Sequence, residues 1–328
     1  MLEQAIVFIF SFCVLIYSTK IGKFFNLVDI PNKRKLNSKS SVKIGSLIFL
    51  LPILFFLINS FYLSIFLNLE IICFFVIFTL LFFIGFVDDS KGMLAIKKII
   101  LYFFISFLFL KINPRFMIHD ISLYSFNIKN ISIISIYFTC FCIVCVIVAS
   151  DLLDGINISA SFFFFINFLF IIFVNNSTKF FDLNLSILIV LFLFFIFNIK
   201  NKVYLGTGGT CILAFILSLN LIEVGASNPK VLSATHIFSL LFLPGVDMIR
   251  VFLVRLFSKG GLFIPDQNHI HHIIVKEFGI NKAIIFLCLF YSLTNLSVII
   301  FYNKIYYIIL AQLVVYFTCI LKNYLKIQ

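Results

Sequence analysis

The chain has 328 residues, of which 62% are hydrophobic and only 12% are charged, and its formal net charge is +12 at pH 7. Soluble domains are about half apolar and about a quarter charged, so a soluble fold of this size cannot bury so much apolar surface. The composition therefore excludes an ordinary soluble domain and predicts an all-α integral membrane protein.

Eleven apolar stretches are long enough, or nearly so, to cross a bilayer as helices, which takes about 20 residues each. The predicted spans are 4–19, 45–65, 70–87, 97–111, 132–150, 156–174, 183–199, 210–226, 231–255, 282–302 and 305–321. The stretch 112–131 is too polar to span, and we expect it to form a small periplasmic hairpin. All of residues 1–328 then form a single polytopic membrane domain.

The positions of the basic residues orient these spans. Nineteen of the 25 Lys and Arg residues fall in the loops of one side, which the positive-inside rule assigns to the cytoplasm. The N-terminus is then predicted outside and the C-terminus inside. Eight of the 13 acidic residues lie on the same face, and topology signalling does not explain them. A basic face of this kind suits anionic lipids and phosphate-bearing ligands.

A turn-forming basic loop, Val-Asp-Ile-Pro-Asn-Lys-Arg-Lys, follows the first span at residues 28–35. Arg34 and Lys35 in this loop are candidates to hold a diphosphate. The alternative is a solvated run of charge that only signals orientation.

Two adjacent carboxylates, Asp88 and Asp89, close the third span. Carboxylates at a membrane helix end are costly to desolvate. Oxygen ligands of this kind suit a hard cation such as Mg²⁺, which shares its coordination shell with phosphate. A plain solvated helix end is the alternative.

A second acidic segment, Asp-Leu-Leu-Asp-Gly-Ile-Asn at residues 151–157, lies between two long apolar spans. Asp151 and Asp154 are three residues apart and share a face if the segment is helical. Carboxylates buried between helices need a cation or a hydrogen-bond donor. This segment, which also contains Asn157, is therefore a candidate part of the site.

A glycine-rich segment, residues 202–210, opens the eighth predicted span. It runs from Lys202 through Gly206 and Thr207 to Thr210. Backbone N–H groups at such a helix start are able to approach a phosphate. The alternative is that the small residues serve close helix packing.

Three histidines, His269, His271 and His272, lie within four positions in the predicted cytoplasmic loop 257–281. Three histidines are enough to begin a zinc site, but Asp266 is the only further ligand at normal spacing. Beside this much basic charge, hydrogen bonding to phosphate or contact with a nucleobase is the preferred interpretation.

Taken in order, these five segments resemble the polyprenyl-phosphate N-acetylhexosamine-1-phosphate transferases, which form glycosyl transferase family 4. The resemblance covers residues 20 to about 280, and the histidine motif is most similar to the bacterial GlcNAc-type branch. It implies that N-acetylhexosamine-1-phosphate passes from a UDP-sugar to undecaprenyl phosphate, with release of UMP, to start a lipid-linked envelope glycan. Mg²⁺ is the implied cofactor, with Mn²⁺ as a substitute.

The resemblance and the motifs together assign candidate roles. Asp88, Asp89 and Asp154 are the catalytic candidates, and Asp88, Asp151 and Thr207 are the metal ligands. The substrate-binding candidates are Arg34, Lys35, Asn157, Lys202, Gly206, His269, His271 and His272. The implied partners are undecaprenyl phosphate, a UDP-N-acetylhexosamine and membrane lipid, with no nucleic acid, and a homodimer stays open. The implied location is the bacterial inner membrane, with the site on the cytoplasmic face.

Several positions depart from the family pattern, among them Asn37, Ser46, Ile158 and Gln267, and two further departures concern the metal site. The fourth motif normally reads Gly-Asp-x-Gly-Ser, and its Asp is a principal Mg²⁺ ligand, whereas here that position is Thr207. The third motif normally opens with Asn, whereas here it opens with Asp151. Our hypothesis is that the carboxylate has moved across the site, with the oxygens of Asp151 and Thr207 within about 7 Å of each other, a span that one Mg²⁺ and a water bridge.

Two other functions compete with this interpretation. A degenerate, non-catalytic homologue that binds lipid phosphate or UDP-sugar is the first alternative, because a hydroxyl is a far weaker metal ligand than a carboxylate. A transporter is the second. It is disfavoured because no charged residue lies in the middle of a predicted span, where coupling groups are normally found. His236 is the only candidate for such a group.

Overall fold

The computed structural model describes residues 2–29, 40–123, 125–129, 131, 134–175, 179–229, 231–257 and 268–325, with side chains up to residue 321. This part of the chain is almost entirely helical. The helices are α1 (Leu2–Ile16), α2 (Ser18–Phe24), α3 (Gly45–Ile48), α4 (Leu50–Tyr62), α5 (Asn68–Lys91), α6 (Ala95–Ile112), α7 (Ser135–Asp151), α8 (Ser159–Val174), α9 (Phe181–Asn198), α10 (Gly206–Ser227), α11 (Ala234–Leu240), α12 (Phe242–Phe257), α13 (Ile270–Phe278), α14 (Ile280–Ile300) and α15 (Ile305–Leu325). The strands are β1 (Val28–Asp29), β2 (Ser41–Lys43), β3 (Ile121–Ser122), β4 (Asn127–Ile128) and β5 (Val203–Tyr204).

Helix α10 is the centre of the bundle. Its residues are buried without interruption from Gly206 to Leu221, and α3, α5, α7 and α8 pack around it. A helix that is buried on every side in this way forms the core of the bundle. The outer helices leave large side chains exposed, such as Phe83 and Phe173, at the surface that lipid covers. The fold is therefore an all-α, multi-pass membrane protein, as the composition predicts.

Six helical segments are long and apolar enough to cross a membrane in the part of the chain that the structure describes: Gly45–Tyr62, Asn68–Lys91, Phe181–Asn198, Gly206–Ser227, Ile280–Ile300 and Tyr302–Leu321. Two bent pairs raise the number to eight: α1 with α2, bent by 69°, and α11 with α12, bent by 78°. Eleven spans are therefore not confirmed. Helices α7 and α8 are short for a bilayer, and α6 contains Lys97, Lys98 and Lys111. The orientation of the termini stays a prediction.

The predicted hairpin at 112–131 is present. After a short 3₁₀ helix, Pro114–Phe116, strands β3 and β4 pair antiparallel with Ile121 opposite Ile128. The polar composition of this stretch thus corresponds to a short β-hairpin between α6 and α7. Its location on the periplasmic side stays a prediction.

A second, three-stranded sheet joins the first loop to the start of α10. Its order is β1-β2-β5, with β2 antiparallel to β1 and parallel to β5. The N–H of Gly45 extends the pairing by donating to the carbonyl of Leu205 at 3.1 Å. This sheet holds Lys43, at the end of β2, beside the first turn of α10.

Glycine allows α5 and α10 to approach very closely. A Cβ atom at Gly85 would lie 2.2 Å from the Cα of Gly208. Any larger side chain at Gly85 would separate the two helices, which is the packing use of small residues in membrane bundles. This contact is one turn before Asp88 and Asp89, and it brings them to the start of α10.

Candidate active site

Four aspartates gather where three helix ends meet, and we call Asp88, Asp89, Asp151 and Asp154 the aspartate cluster. Asp88 and Asp89 lie in the last turn of α5, Asp151 ends α7, and Asp154 lies in the turn that follows α7. All four lie at the N-terminal end of α10. The structure therefore brings together the catalytic and metal-ligand candidates that come from three separate segments of the sequence.

Asp89 binds the first turn of α10. Its side chain is fully buried, and its two oxygens accept the N–H groups of Thr207 at 3.0 Å and Gly208 at 2.9 Å. The ammonium of Lys43 lies 3.4 Å from the same carboxylate. The first N–H groups of a helix have no partner within the helix and attract anions. Here the anion is the protein's own Asp89.

Asp154 uses the remaining N–H group at this helix start. Its Oδ2 accepts the N–H of Gly206 at 2.7 Å. Gly206 has φ +65, and a Cβ there would lie 2.6 Å from Asp89, so glycine is required on both counts. The N–H groups at the start of α10 thus donate to carboxylates of the protein and are not left for a phosphate. This geometry favours the interpretation that the small residues of the glycine-rich segment serve close packing.

Burial raises the pKa of the Asp154 carboxyl to about 8. The N–H of Gly206 and the ammonium of Lys43 lower this pKa, whereas the neighbouring Asp151 and Asp89 raise it further. At neutral pH the Asp154 carboxyl is therefore mostly protonated, which reduces the repulsion among four adjacent carboxylates.

Asp88 and Asp151 share one ammonium group, that of Lys98. Its Nζ lies 3.0 Å from Asp88 Oδ2 and 3.2 Å from Asp151 Oδ2, so these two oxygens are at most 6.2 Å apart. The Thr207 hydroxyl donates to Asp88 Oδ2 at 2.5 Å, and the Thr210 hydroxyl contacts Asp151 Oδ1 at 3.0 Å. Thr207 and Asp151 therefore belong to one cluster, joined through Asp88 and Lys98.

Lys43 and Lys98 are functional candidates that the sequence motifs did not identify, because they counted only as orientation charges. Burial opposes the charge on Lys43, but Asp89 and the other carboxylates outweigh it and hold the pKa of its ammonium above the ordinary value. A signal for Lys98 was available. A turn at residues 92–94 separates it from Asp89, and a helix hairpin there returns the chain toward the aspartates.

The oxygen atoms of the aspartate cluster are the ligand type that hard cations prefer. Within the described residues, no group of three or more His, Cys, Asp and Glu side chains is arranged to hold a metal ion by itself. The nearest arrangement is the pair Asp88 and Asp151, with the Thr207 hydroxyl beside them. A cation bound here would need further ligands from another molecule.

The predicted histidine motif forms the start of α13, and we call His269, His271 and His272 the histidine cluster. Asp247 of α12 organises it, accepting from His269 Nδ1 at 3.0 Å and from the Ile270 N–H at 3.1 Å. The same carboxylate accepts from Arg250 at 2.7 Å and from the Tyr316 hydroxyl at 3.0 Å. Because an ionised carboxylate only accepts hydrogen bonds, His269 carries its proton on Nδ1. Tyr316 of α15 binds the same carboxylate and so holds the cluster against α15.

The histidine cluster lies beside the second acidic segment. A Cβ on Gly155 would lie only 2.4 Å from His271 Nε2, so the ring rests on the backbone next to Asp154. His271 is 2% exposed, and burial and the adjacent histidines hold its pKa well below the ordinary value. Its ring is therefore neutral. Among the described residues, both ring nitrogens of His271 and the Oδ1 of buried Asn157 lack a hydrogen-bond partner.

The remaining candidates lie elsewhere. Arg34, Lys35 and Asp266 are outside the described residues. Lys202 is exposed, and its carbonyl accepts the N–H of Val42 in the small sheet. His236 contacts Ser233 at 2.6 Å and the carbonyl of Tyr302 at 3.1 Å, so it holds the start of α11.

The fold and these two clusters define a multi-pass membrane protein with an acidic site at its helix ends. The profile of glycosyl transferase family 4 matches residues 71–225, a stretch that contains the whole aspartate cluster together with Lys98, Asn157 and Thr207. Over this stretch the chain is therefore similar to glycosyl transferase family 4, as the motifs predict. The histidine cluster and Lys43 lie outside the matched stretch.

Curated relatives share a shorter segment with this chain. The undecaprenyl-phosphate alpha-N-acetylglucosaminyl 1-phosphate transferases of Escherichia coli K12 and Yersinia pestis are each 27% identical to it over 77 residues. The enzyme of that name from Salmonella typhi is 26% identical over 77 residues. In each case the alignment covers 24% of this chain and 21% of the relative, so the match spans about a fifth of the relatives' length.

Proposed function

We propose that this protein transfers N-acetylhexosamine-1-phosphate from a UDP-sugar to undecaprenyl phosphate at the aspartate cluster. An oxygen of the lipid phosphate attacks the phosphorus bound to the sugar, the bond to the leaving UMP breaks, and a lipid-linked diphosphate sugar remains. The observation that carries the proposal is the convergence of four aspartates and Lys98, all within the stretch that matches the family, with Lys43 beside them. The proposed location is the cytoplasmic face of a bacterial inner membrane.

The charges of the cluster support a requirement for a divalent cation, Mg²⁺ or Mn²⁺. With Asp154 protonated, the three remaining carboxylates still exceed the two ammonium groups of Lys43 and Lys98, so an anionic diphosphate would be repelled without added positive charge. Mg²⁺ typically binds one or two protein carboxylates and completes its shell with substrate phosphates and water. Asp88 and Asp151 are the residues that we propose to hold it, with the diphosphate supplying further ligands. The bound cation would neutralise negative charge on the carboxylates and on the diphosphate.

The other residues of the site have separable roles in this proposal. Asp89 positions the first turn of α10, and with it the Thr207 hydroxyl on Asp88. Lys43 and Lys98 bind phosphate oxygens, because ammonium groups in a half-buried site favour anions. His271 and Asn157 are buried and have hydrogen-bonding atoms without partners, so they are suited to the uncharged parts of the UDP-sugar.

The test is release of UMP from a panel of UDP-amino sugars by the purified full chain, with and without undecaprenyl phosphate and Mg²⁺. Asp151→Asn should reduce the rate by about a hundredfold or more, since it removes a charged group at a developing transition state. The double variant Asp151→Asn with Thr207→Asp should regain about tenfold. Asp182→Asn, at the exposed start of α9, is the matched control and should retain the wild-type rate.

One observation favours a second candidate function. Thr207 replaces the family's carboxylate, and the described residues contain no ready-made group of three metal ligands. A non-catalytic homologue would bind UDP-sugar or lipid phosphate without turning it over. Binding of UDP-GlcNAc without UMP release from any UDP-amino sugar would support this second function and reject the first.

A further inference from the structure

The ammonium of Lys98 lies between the two carboxylates that we propose as metal ligands. Each of these carboxylates is held in place by another donor. The N–H of Met93 donates to Asp88 Oδ1 at 2.7 Å, and the Thr210 hydroxyl contacts Asp151 Oδ1. The opposite oxygens, both Oδ2, contact Lys98 at 3.0 and 3.2 Å. The protein therefore directs one oxygen of each carboxylate at the same ammonium group.

A divalent cation and the ammonium cannot use these two oxygens together. Mg²⁺ binds oxygen at about 2.1 Å. A metal ion in the position of the Lys98 nitrogen would therefore need each carboxylate oxygen to be about 1 Å closer than it now is to that nitrogen. Like charges this close repel strongly, because the side chain of Lys98 is only 16% exposed and water screens it weakly. Lys98 must therefore leave before both carboxylates bind a metal ion.

We propose that Lys98 is an internal competitor for the divalent cation, a proposal that rests on the function and metal site proposed above. While its ammonium holds Asp88 and Asp151, it neutralises charge that would otherwise attract the metal. The apparent metal affinity is then reduced by the fraction of molecules in which Lys98 is away from the site. The long, flexible stem of lysine allows the ammonium to leave without movement of the helices.

A phosphate-bearing ligand changes this balance. The diphosphate offers the displaced ammonium a new anionic partner, and it also supplies oxygen ligands to the metal. Metal and nucleotide should therefore each strengthen the binding of the other, as linkage requires. Lys98 would thus delay metal binding until the nucleotide is present.

The experiment measures Mn²⁺ binding to the purified full chain by electron paramagnetic resonance, without any turnover. Lys98→Gln should bind Mn²⁺ about tenfold more tightly than the wild type, because the competitor is gone. Lys97→Gln is the matched control, because it removes the same charge from the adjacent, exposed position of α6, and its affinity should change by less than about twofold. Lys98→Arg keeps a cation and should remain near the wild-type affinity.

A second titration, with UDP present, tests the coupling. UDP should tighten Mn²⁺ binding by the wild type about tenfold and by Lys98→Gln several-fold less. The difference between the wild type and Lys98→Gln decides this point, and Lys98→Arg, which keeps a cation, with the unfolding temperature of each variant, separates loss of the competitor from poor folding. Unchanged or weaker Mn²⁺ binding by a folded Lys98→Gln, or no effect of UDP on the wild type, would overturn the proposal. Absence of UMP release together with these shifts would instead reject only the transferase function.

Discussion

The aspartate cluster and His271 of the histidine cluster lie side by side at Gly155 but differ in how their polar atoms are engaged. In the first, each oxygen of Asp88, Asp89 and Asp151 contacts a hydrogen-bond donor or an ammonium group of the protein. In the second, His271 is neutral and buried, and its ring nitrogens have no hydrogen-bond partner among the described residues.

This difference separates two kinds of contribution to a site. Groups that are fully engaged within the protein maintain the architecture, so their loss should lower stability together with function. Buried polar groups that lack partners lower stability unless a ligand engages them. Their replacement by apolar groups should therefore impair ligand binding and leave the fold intact. Three predictions follow from this comparison.

The largest effect on stability is expected from Asp89→Ala. It leaves the N–H groups of Thr207 and Gly208 and the ammonium of Lys43 without their buried partner. Removing one member of a buried ion pair costs about 3–5 kcal/mol, so the free energy of unfolding should fall by that order. Thermal or denaturant unfolding in detergent measures it, with Asp182→Ala on the exposed start of α9 as the control. A loss no greater than that of the control would contradict the assigned role of Asp89.

His271→Leu should affect binding and leave stability nearly unchanged. Leucine is close in size, and the histidine ring gives up no hydrogen bond to the described residues, so the free energy of unfolding should change by less than about 1 kcal/mol. The dissociation constant for UDP-GlcNAc, measured by calorimetry, should rise about tenfold through the loss of hydrogen bonds to the ligand. If the variant unfolds easily and binds normally, His271 is a packing residue.

The third effect is a dependence of stability on pH, to which Asp154 contributes. Its pKa is about 8 in the folded protein and about 4 when unfolded, so its stabilising contribution is complete below pH 4 and is lost as pH rises toward 8. Asp154→Asn keeps an acceptor for Gly206 but does not titrate. The unfolding temperature of the wild type, relative to Asp154→Asn, should therefore fall between pH 5 and pH 8 and level off above about pH 9. A constant difference over this range would show that Asp154 is not held protonated.

Local patterns in the sequence predict much of this molecule. The apolar runs predict the helices because each run needs lipid or a neighbouring helix to cover it. The polar stretch at 112–131 correctly predicts the β-hairpin. The motifs that contain Asp88, Asp154 and Gly206 predict the similarity to the family, and the structure brings these segments together. The break at Leu241 and the bend at Tyr17 could not be anticipated, since hydropathy averages over a window and does not detect a change in helix direction.

The pairing of charges within the site depends on contacts between segments that are far apart in the chain. Lys43 meets Asp89 because β2 pairs in parallel with β5, and Lys98 meets Asp151 because α6 and α7 pack together. No local pattern marks Lys43, and only the turn at residues 92–94 points to Lys98, because an ammonium that orients a membrane loop and one that bridges two carboxylates look alike in sequence. Composition and motifs thus predict the fold class and the similarity to the family, which depend on local residue chemistry. Tertiary packing alone decides which carboxylates receive a partner and which buried polar groups have none, because those depend on distances between helices.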